Sequence, residues 1–294
     1  MRSALRGAAA LALGARALLA VSAVYAQPPA SGYVQDPVVF PSADLKLRGV
    51  IARPVADGRF PAYVHVHGSM TVEDANGPPW TQLARNSYLE RVAREGYVVM
   101  LVARRGHRGS EGTTVTYTLS QRSGSVPSAY AVYRGIETDA GDVIAALEYL
   151  RALAYVDPDR IGIGGHSVGG IVSVLAAARD PRLRAVVSLA GGFVWREGHR
   201  ETSTPFVDRA WRESARKITA PVLILWAKND TNLEPDVGRD LEKQLKAAGR
   251  TVEFILYPPD GTNGHFLFTR RDGVSVFTPD LLRFLNTNLR DRPP

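Results

Sequence analysis

A serine flanked by glycines is the feature of this sequence with the clearest chemical meaning. Residues 165–169 read Gly-His-Ser-Val-Gly, after the apolar stretch 161–164 and before a helical stretch, 171–178. Such a strand–turn–helix strains the serine backbone and lifts the hydroxyl clear of the sheet, while glycines avoid collisions with neighbouring backbone. The helix start adds free N–H groups and a positive dipole end. The pattern predicts Ser167 as a nucleophile.

A serine hydroxyl needs a base that takes its proton and a carboxylate that orients the base. In strand–turn–helix sites of this kind, the carboxylate follows the serine in the chain and the histidine comes last. Asp230 and His265 each follow a later strand-like stretch, in that order. We therefore predict that His265 is the base and Asp230 its partner. Asp260 and Glu234 are the competing carboxylates.

The negative charge that develops on an attacked carbonyl oxygen needs hydrogen-bond donors. One donor is expected to be the backbone N–H of Val168, the residue after the nucleophile. The other is expected from the turn after His67-Gly68, where glycine lets the backbone approach closely. We predict Ser69 N–H as this second donor, with Met70 N–H as the alternative.

The remaining histidines have weaker claims to a role in the chemistry. His166 lies inside the turn and cannot easily point back at the serine, whereas His107 and His199 lie in long irregular segments and could touch a substrate. His65 and His67 share one face of a strand, as a metal-binding pair would. Too few further ligands stand at suitable spacing for a metal centre. We expect no metal and no cofactor.

Strand-like and helix-like stretches alternate along the chain from Val38 onward. This alternation predicts an α/β fold with a mainly parallel sheet, covered by helices on both faces and with active groups at the carboxyl ends of strands. The predicted strands lie at 38–40, 45–51, 62–66, 97–102, 161–164, 185–189, 222–226 and 252–256, and the five from 97 onward are expected to be buried. The predicted helices lie at 87–95, 136–150, 171–178, 237–245 and 278–289.

Two segments, 106–134 and 193–217, do not fit the alternation. Both follow strand-like stretches, and the first is rich in glycine, serine and threonine. Loops of this length inside a compact domain are usually functional or mobile. We expect both segments to form walls of a substrate pocket.

The N-terminal stretch, residues 1–26, is typical of a secretory signal peptide. Arg2 and Arg6 give its first residues a positive charge, a mostly apolar run follows at 11–24, and small residues stand around Ala26. The apolar run contains Arg16 and is shorter than the ~20 residues that span a bilayer. We expect a secreted or periplasmic protein with one domain, residues 27–294. The chain has no cysteine, which rules out disulfides and a lipid anchor on cysteine.

The charge pattern argues against a nucleic-acid partner. The formal charge of +7 falls to +4 when the three arginines of the leader are removed (7 − 3). The remaining arginines are scattered, and their densest group, Arg104, Arg105 and Arg108, lies among glycines without interleaved aromatic residues. We expect a small ester or a short peptide as substrate, no nucleic acid and no stable membrane anchor after cleavage. The oligomeric state is left open.

These features together resemble the α/β-hydrolase superfamily, nearest to dienelactone hydrolase-like proteins and the catalytic domains of prolyl oligopeptidases. The resemblance implies an eight-stranded sheet whose second strand is antiparallel, and hydrolysis without a cofactor. Dienelactone hydrolases proper carry a cysteine nucleophile where this chain has serine, and Ala227 stands where a glycine is common. The matching landmarks are 155–170, the arginine–glycine stretch 104–112, His67-Gly68, Asp230 and Gly264-His265-Phe266.

The expected activity is hydrolysis of carboxylic esters by a Ser-His-Asp triad through an acyl-enzyme. A serine peptidase acting on short peptides or aminoacyl amides is the first alternative, because the same triad serves both reactions. Such a peptidase would need charged groups that hold a peptide terminus, for which Arg104, Arg105, Glu197 and Glu201 are candidates. A non-catalytic binding protein on the same scaffold is the second alternative.

Overall fold

The described part of the chain comprises residues 32–113, 128–197, 199–201 and 203–290 of a computed structural model. The expected signal peptide and residues 114–127 of the first long segment lie outside these ranges. The signal peptide therefore stays a prediction. Within the described ranges, no helix combines the length and the apolar character that crossing a membrane requires.

Eight strands form one sheet in the order β1-β2-β4-β3-β5-β6-β9-β10. Strand β2 pairs antiparallel with both of its neighbours, and the other pairings are parallel. The α/β class and the single antiparallel second strand are thus confirmed. The strands of this sheet are β1 Tyr33–Ser42, β2 Leu45–Pro54, β3 Phe60–Val66, β4 Val98–Ala103, β5 Val156–His166, β6 Ala185–Leu189, β9 Val222–Ala227 and β10 Val252–Tyr257. A separate hairpin pairs β7 Arg196–Glu197 with β8 Arg200–Glu201.

Helices cover both faces of the sheet, as the alternation predicted. Helices α2 and α7 contact each other on one face, while α3, α4, α5 and α6 pack side by side on the other. The helices are α1 Val72–Asn76, α2 Tyr88–Arg94, α3 Ala129–Arg151, α4 Val168–Ala177, α5 Thr204–Lys217, α6 Pro235–Ala247 and α7 Val274–Leu289, with a 3₁₀ turn at Gly264–Phe268. The central strands are apolar on both faces because both faces are covered.

Two expectations about individual elements are wrong. The segment 193–217 is not a long loop, because it contains the β7–β8 hairpin and the 14-residue helix α5. The buried residues of α5 recur at helical spacing with charged residues between them, which is the pattern of an amphipathic helix, so the sequence did carry this signal. Strand β10 is half-buried rather than buried, since it is the last strand of the sheet.

The parallel strands bring distant parts of the chain to one edge of the sheet. Strands β3, β4, β5, β9 and β10 run in the same direction, so the residues that follow each of them meet at the carboxyl-end edge. This is the edge at which open α/β sheets place their ligands. All the residues predicted for the chemistry follow one of these strands.

Candidate active site

Ser167 lies between β5 and α4 in a strained backbone conformation. Its φ and ψ are 56° and −124°, a combination rare for residues other than glycine. The turn is held in place because Ser167 N–H donates to Leu189 O over 2.9 Å and its carbonyl accepts from Gly170 N–H and Gly192 N–H at 2.8 and 3.1 Å. This is the strand–turn–helix geometry predicted from the sequence. The strain is maintained by the surrounding hydrogen bonds.

The glycines around Ser167 permit backbone contacts that no side chain would allow. A Cβ on Gly165 would lie 2.3 Å from Gly169 O, and one on Gly169 would lie 2.0 Å from Val66 O. A Cβ on Gly170 would lie 2.5 Å from Gly191 Cα. The expected collisions with neighbouring backbone are therefore confirmed.

His265 and Asp230 form a buried hydrogen-bonded pair. His265 Nδ1 and Asp230 Oδ2 are 2.7 Å apart, and the residues are 4% and 2% exposed. Oδ1 of Asp230 accepts the backbone N–H groups of Asn232 and Leu233 at 2.9 and 2.8 Å, which fixes the carboxylate. Because Nδ1 donates to the carboxylate, the neutral ring keeps Nε2 free to accept a proton.

A second histidine holds the segment that carries His265. His166 Nε2–H donates to the backbone carbonyl of His265 over 2.9 Å, and the two ring centroids are 4.7 Å apart. Burial lowers the pKa of His166 to about 3, so the ring is neutral and keeps this N–H. This role was not predicted, because nothing in the sequence distinguishes His166 except its place in the turn.

A cleft of about 360 Å³ at the carboxyl-end edge collects four of the five predicted residues. Ser69, Ser167, Val168 and His265 line it, while Asp230 lies behind the imidazole. The Ser167 hydroxyl and His265 share this cleft without a hydrogen bond between them in this conformation. The other lining residues are His166, Phe193, Val194, Arg196, Thr231, Asn232, Leu233 and Phe266.

The two predicted oxyanion donors belong to residues that line the same cleft as the nucleophile. Val168 is the first residue of α4, where backbone N–H groups have no partner within the helix. Ser69 follows Gly68, whose added Cβ would come within 3.2 Å of Ser167 Cβ. Met70, the alternative donor, does not line the described cleft.

The competing residues are engaged elsewhere. Asp260 pairs with Arg270 at 2.6 Å, and Glu234 is the N-cap residue of α6. His65 Nδ1 lies 2.5 Å from the Tyr88 hydroxyl. Among the described residues, no group of three or more His, Cys, Asp or Glu side chains is arranged to hold a metal ion.

The expectations about pocket walls and charged clamps are only partly correct. Segment 193–217 contributes lining residues, but the described part of 106–134 contributes none. Arg104 and Arg105 do not line the cleft, because each is paired at 2.6 Å with an aspartate of α3. Neither arginine is therefore placed to hold a peptide terminus. His107 is fully buried and also lies off the cleft.

The sheet order, the strained serine turn and the covering helices define an α/β hydrolase. A profile of the dienelactone hydrolase family matches residues 48–276, and the chain belongs to that family. A protein of Methylorubrum extorquens, provisionally named a carboxymethylenebutenolidase, is 26% identical over 84% of this chain and 79% of its own length.

Solved structures with the same fold include both an esterase and a peptidase. An acetyl xylan esterase from Paenibacillus sp. R4 has a TM-score of 0.62 and 19% identity, covering 89% of this chain and 86% of that one. An acylaminoacyl peptidase from Pyrococcus horikoshii has a TM-score of 0.66 and 20% identity, covering 90% of this chain and 43% of that one. The fold is therefore shared with enzymes that act on different acyl compounds.

Proposed function

We propose that this protein hydrolyses carboxylic esters, with Ser167, His265 and Asp230 as its catalytic triad. The observation that carries the proposal is the buried His265–Asp230 hydrogen bond of 2.7 Å, placed at the cleft that Ser167 lines. The membership in a hydrolase family supports the reaction class. The strained backbone of Ser167 supports its role as nucleophile, since such strain persists only where the surroundings impose it.

Acylation begins when Ser167 Oγ attacks the ester carbonyl carbon and its proton passes to His265 Nε2. The new C–O bond gives a tetrahedral intermediate whose oxygen carries the negative charge. The N–H groups of Val168 and Ser69 bind this oxygen, a contribution worth ~10²–10³ in turnover for each donor. His265 then gives the proton to the leaving alcohol as the ester C–O bond breaks, leaving an acyl group on Ser167.

Deacylation uses the same groups with water as the nucleophile. Water loses a proton to His265 Nε2 and attacks the acyl carbon, and the carboxylic acid leaves as Ser167 Oγ recovers the proton. Asp230 holds the imidazole so that Nε2 faces the reacting atoms, because Nδ1 is engaged in the 2.7 Å hydrogen bond. A small turn in either partner would misplace the proton transfer.

A peptidase acting on short peptides or aminoacyl amides is the second candidate function. The fold is compatible with it, because an acylaminoacyl peptidase shares that fold as an esterase does. The chemistry differs mainly in the leaving group, an amine that must be protonated as it departs. Arg196 lines the cleft and offers a charge to a peptide terminus or another anionic group.

A fluorophosphonate probe and a substrate panel test both proposals. We expect the probe to label the wild-type protein and not Ser167→Ala, because the probe reacts only with an activated serine. We also expect acyl esters of graded chain length to be hydrolysed faster than matched aminoacyl amides. Faster amide turnover would replace the esterase proposal with the peptidase, and absent labelling of the folded wild type would favour a binding protein.

A further inference from the structure

Arg104 is a charged side chain that the fold buries at the edge where the cleft lies. It follows β4, its side chain is 0% exposed, and its Nη1 donates to Asp139 Oδ2 over 2.6 Å. Its Nη2 donates to the carbonyl oxygen of Gly68 over 2.9 Å. We infer that Arg104 is a positioning residue, which aims the Ser69 N–H at the substrate oxyanion. The inference rests on the proposed ester hydrolysis.

The Gly68 carbonyl is held from two sides. Arg104 N–H donates to His67 Nε2 over 3.1 Å, so Nε2 is an acceptor and the ring proton is on Nδ1. That Nδ1–H donates to Gly68 O over 2.7 Å. Burial and the nearby Arg104 hold the pKa of His67 well below its usual range, which keeps this tautomer neutral. Two fixed donors therefore determine where the carbonyl points.

The direction of the carbonyl sets the direction of the next N–H. The Gly68–Ser69 peptide bond is trans, so its C=O and N–H point in opposite directions. Arg104 draws the C=O toward the protein interior, because the guanidinium is fully buried. The Ser69 N–H is thereby turned toward the cleft that Ser69 lines, and it donates to no acceptor among the described residues.

This peptide lies against the nucleophile. An added Cβ on Gly68 would be 3.0 Å from His166 O and 3.2 Å from Ser167 Cβ. Because Gly68 lies this close to Ser167, the N–H of the next residue, Ser69, can reach the oxygen of a substrate carbon bonded to Ser167 Oγ. Arg104 can thus act on the reaction through one peptide group without touching substrate.

The neighbouring arginine provides a matched control. Arg105 pairs with Asp142 through two hydrogen bonds of 2.6 and 2.7 Å, three residues along α3 from Asp139. It therefore ties the same loop to the same helix, but it makes no hydrogen bond to Gly68 among the described contacts. Removing either ion pair perturbs the same loop, and only one of the two removes the donor to Gly68.

The experiment compares the paired variants Arg104→Met/Asp139→Leu and Arg105→Met/Asp142→Asn. The amide oxygen in the second variant can still accept the Ser42 hydroxyl, which Asp142 binds at 2.5 Å. Replacing both partners avoids an unpaired buried charge. For an oxygen ester we expect the first variant to lose a factor of ~10–10² in kcat, with KM little changed. This loss is smaller than that of removing one oxyanion donor outright, because the Ser69 N–H is misdirected and not removed. With the thionoester analogue of that substrate, the same variant should lose clearly less kcat, because sulfur is a poor hydrogen-bond acceptor. The second variant should keep the kcat ratio of the two substrates at the wild-type value.

Equal losses on both substrates, or equal losses in both variants, would overturn the inference. A crystal structure of Arg104→Met/Asp139→Leu gives a test that does not depend on turnover. We expect the Gly68–Ser69 peptide to rotate, and an unchanged peptide would refute the positioning role. Failure of the proposed function is a separate result, since it would appear as a wild type without esterase activity whose probe labelling does not depend on Ser167.

Discussion

At the scale of single residues, His265 pairs with one of the three candidate carboxylates. Asp230 accepts the imidazole N–H at 2.7 Å, whereas Asp260 is bound to Arg270 and Glu234 begins a helix. The loop that carries Asp230 explains why this carboxylate, and not the other two, pairs with the imidazole. Oδ1 of Asp230 accepts two backbone N–H groups from its own turn, which leaves Oδ2 for the histidine.

Replacing Asp230 with asparagine is expected to lower kcat by ~10³–10⁴, because an amide N–H₂ facing Nδ1 stabilises the wrong tautomer of His265. The measurement is kcat and KM on the preferred ester. Asp260→Asn is the matched control, since it removes a carboxylate from the same side of the sheet without touching the imidazole. A smaller loss in Asp230→Asn than in Asp260→Asn would contradict the assignment of the triad.

At the scale of elements, close backbone packing joins β3, β5 and α4 at the serine turn. Gly169 lies where an added Cβ would be 2.0 Å from Val66 O and 2.6 Å from His67 O. Neither oxygen can move without shifting β3 and the turn that carries Gly68. The same glycine therefore supports both the nucleophile and the proposed oxyanion donor.

Gly169→Ala is expected to lower the free energy of unfolding by about 1–3 kcal/mol or more, because overpacking against backbone cannot relax through side-chain motion. Activity of the folded fraction should also fall. Gly141→Ala is the control, since Gly141 lies in α3 with no atom within 4 Å of an added Cβ. That change should stabilise the protein by about 0.5–1 kcal/mol. Urea unfolding measures both, and a stabilised Gly169→Ala would contradict this packing argument.

Sequence pattern located most elements because each strand or helix carries its own periodic signal. The continuous apolar run 97–102 predicted β4, observed at Val98–Ala103, and spacing alone placed α3. Helix α5 was missed although its buried positions Val207, Ala210 and Trp211 recur at helical spacing among charged residues. The helix follows an irregular hairpin, so the segment 193–217 as a whole shows no regular alternation even though its second half is periodic.

The candidate site also contains residues that the sequence predicts and contacts that it does not. A motif and chain order predicted Ser167, Asp230 and His265, because each follows a recognisable strand. The bond from His166 to the His265 carbonyl and the bond from Arg104 to the Gly68 carbonyl join residues far apart in the chain. Contacts to backbone carbonyls leave no pattern in residue type, so no single sequence could predict them.

At the scale of the whole molecule, the buried histidines link folding to pH. His65, His67 and His166 are buried, and burial lowers the pKa of each ring. The pKa falls to about 3 for His65 and His166, and well below its usual range for His67, where the nearby Arg104 adds to the effect. The unfolded chain binds protons on these rings below about 6.5, and the folded protein does not. Their contribution to stability is present above pH 6.5 and is lost as the pH falls toward 3. Burial raises the pKa of Asp139, which acts in the opposite direction.

We expect the free energy of unfolding to fall between pH 6.5 and 5, by about 1.4 kcal/mol per pH unit for each of the three histidines. Urea unfolding at pH 7, 6 and 5 measures this slope. His65→Gln should lower stability at pH 7 through the lost bond to Tyr88 and should also make the slope shallower by about one proton. His199→Gln, at an exposed position, should leave the slope unchanged. If both variants keep the full slope, His65 is not a buried neutral group whose protonation opposes folding.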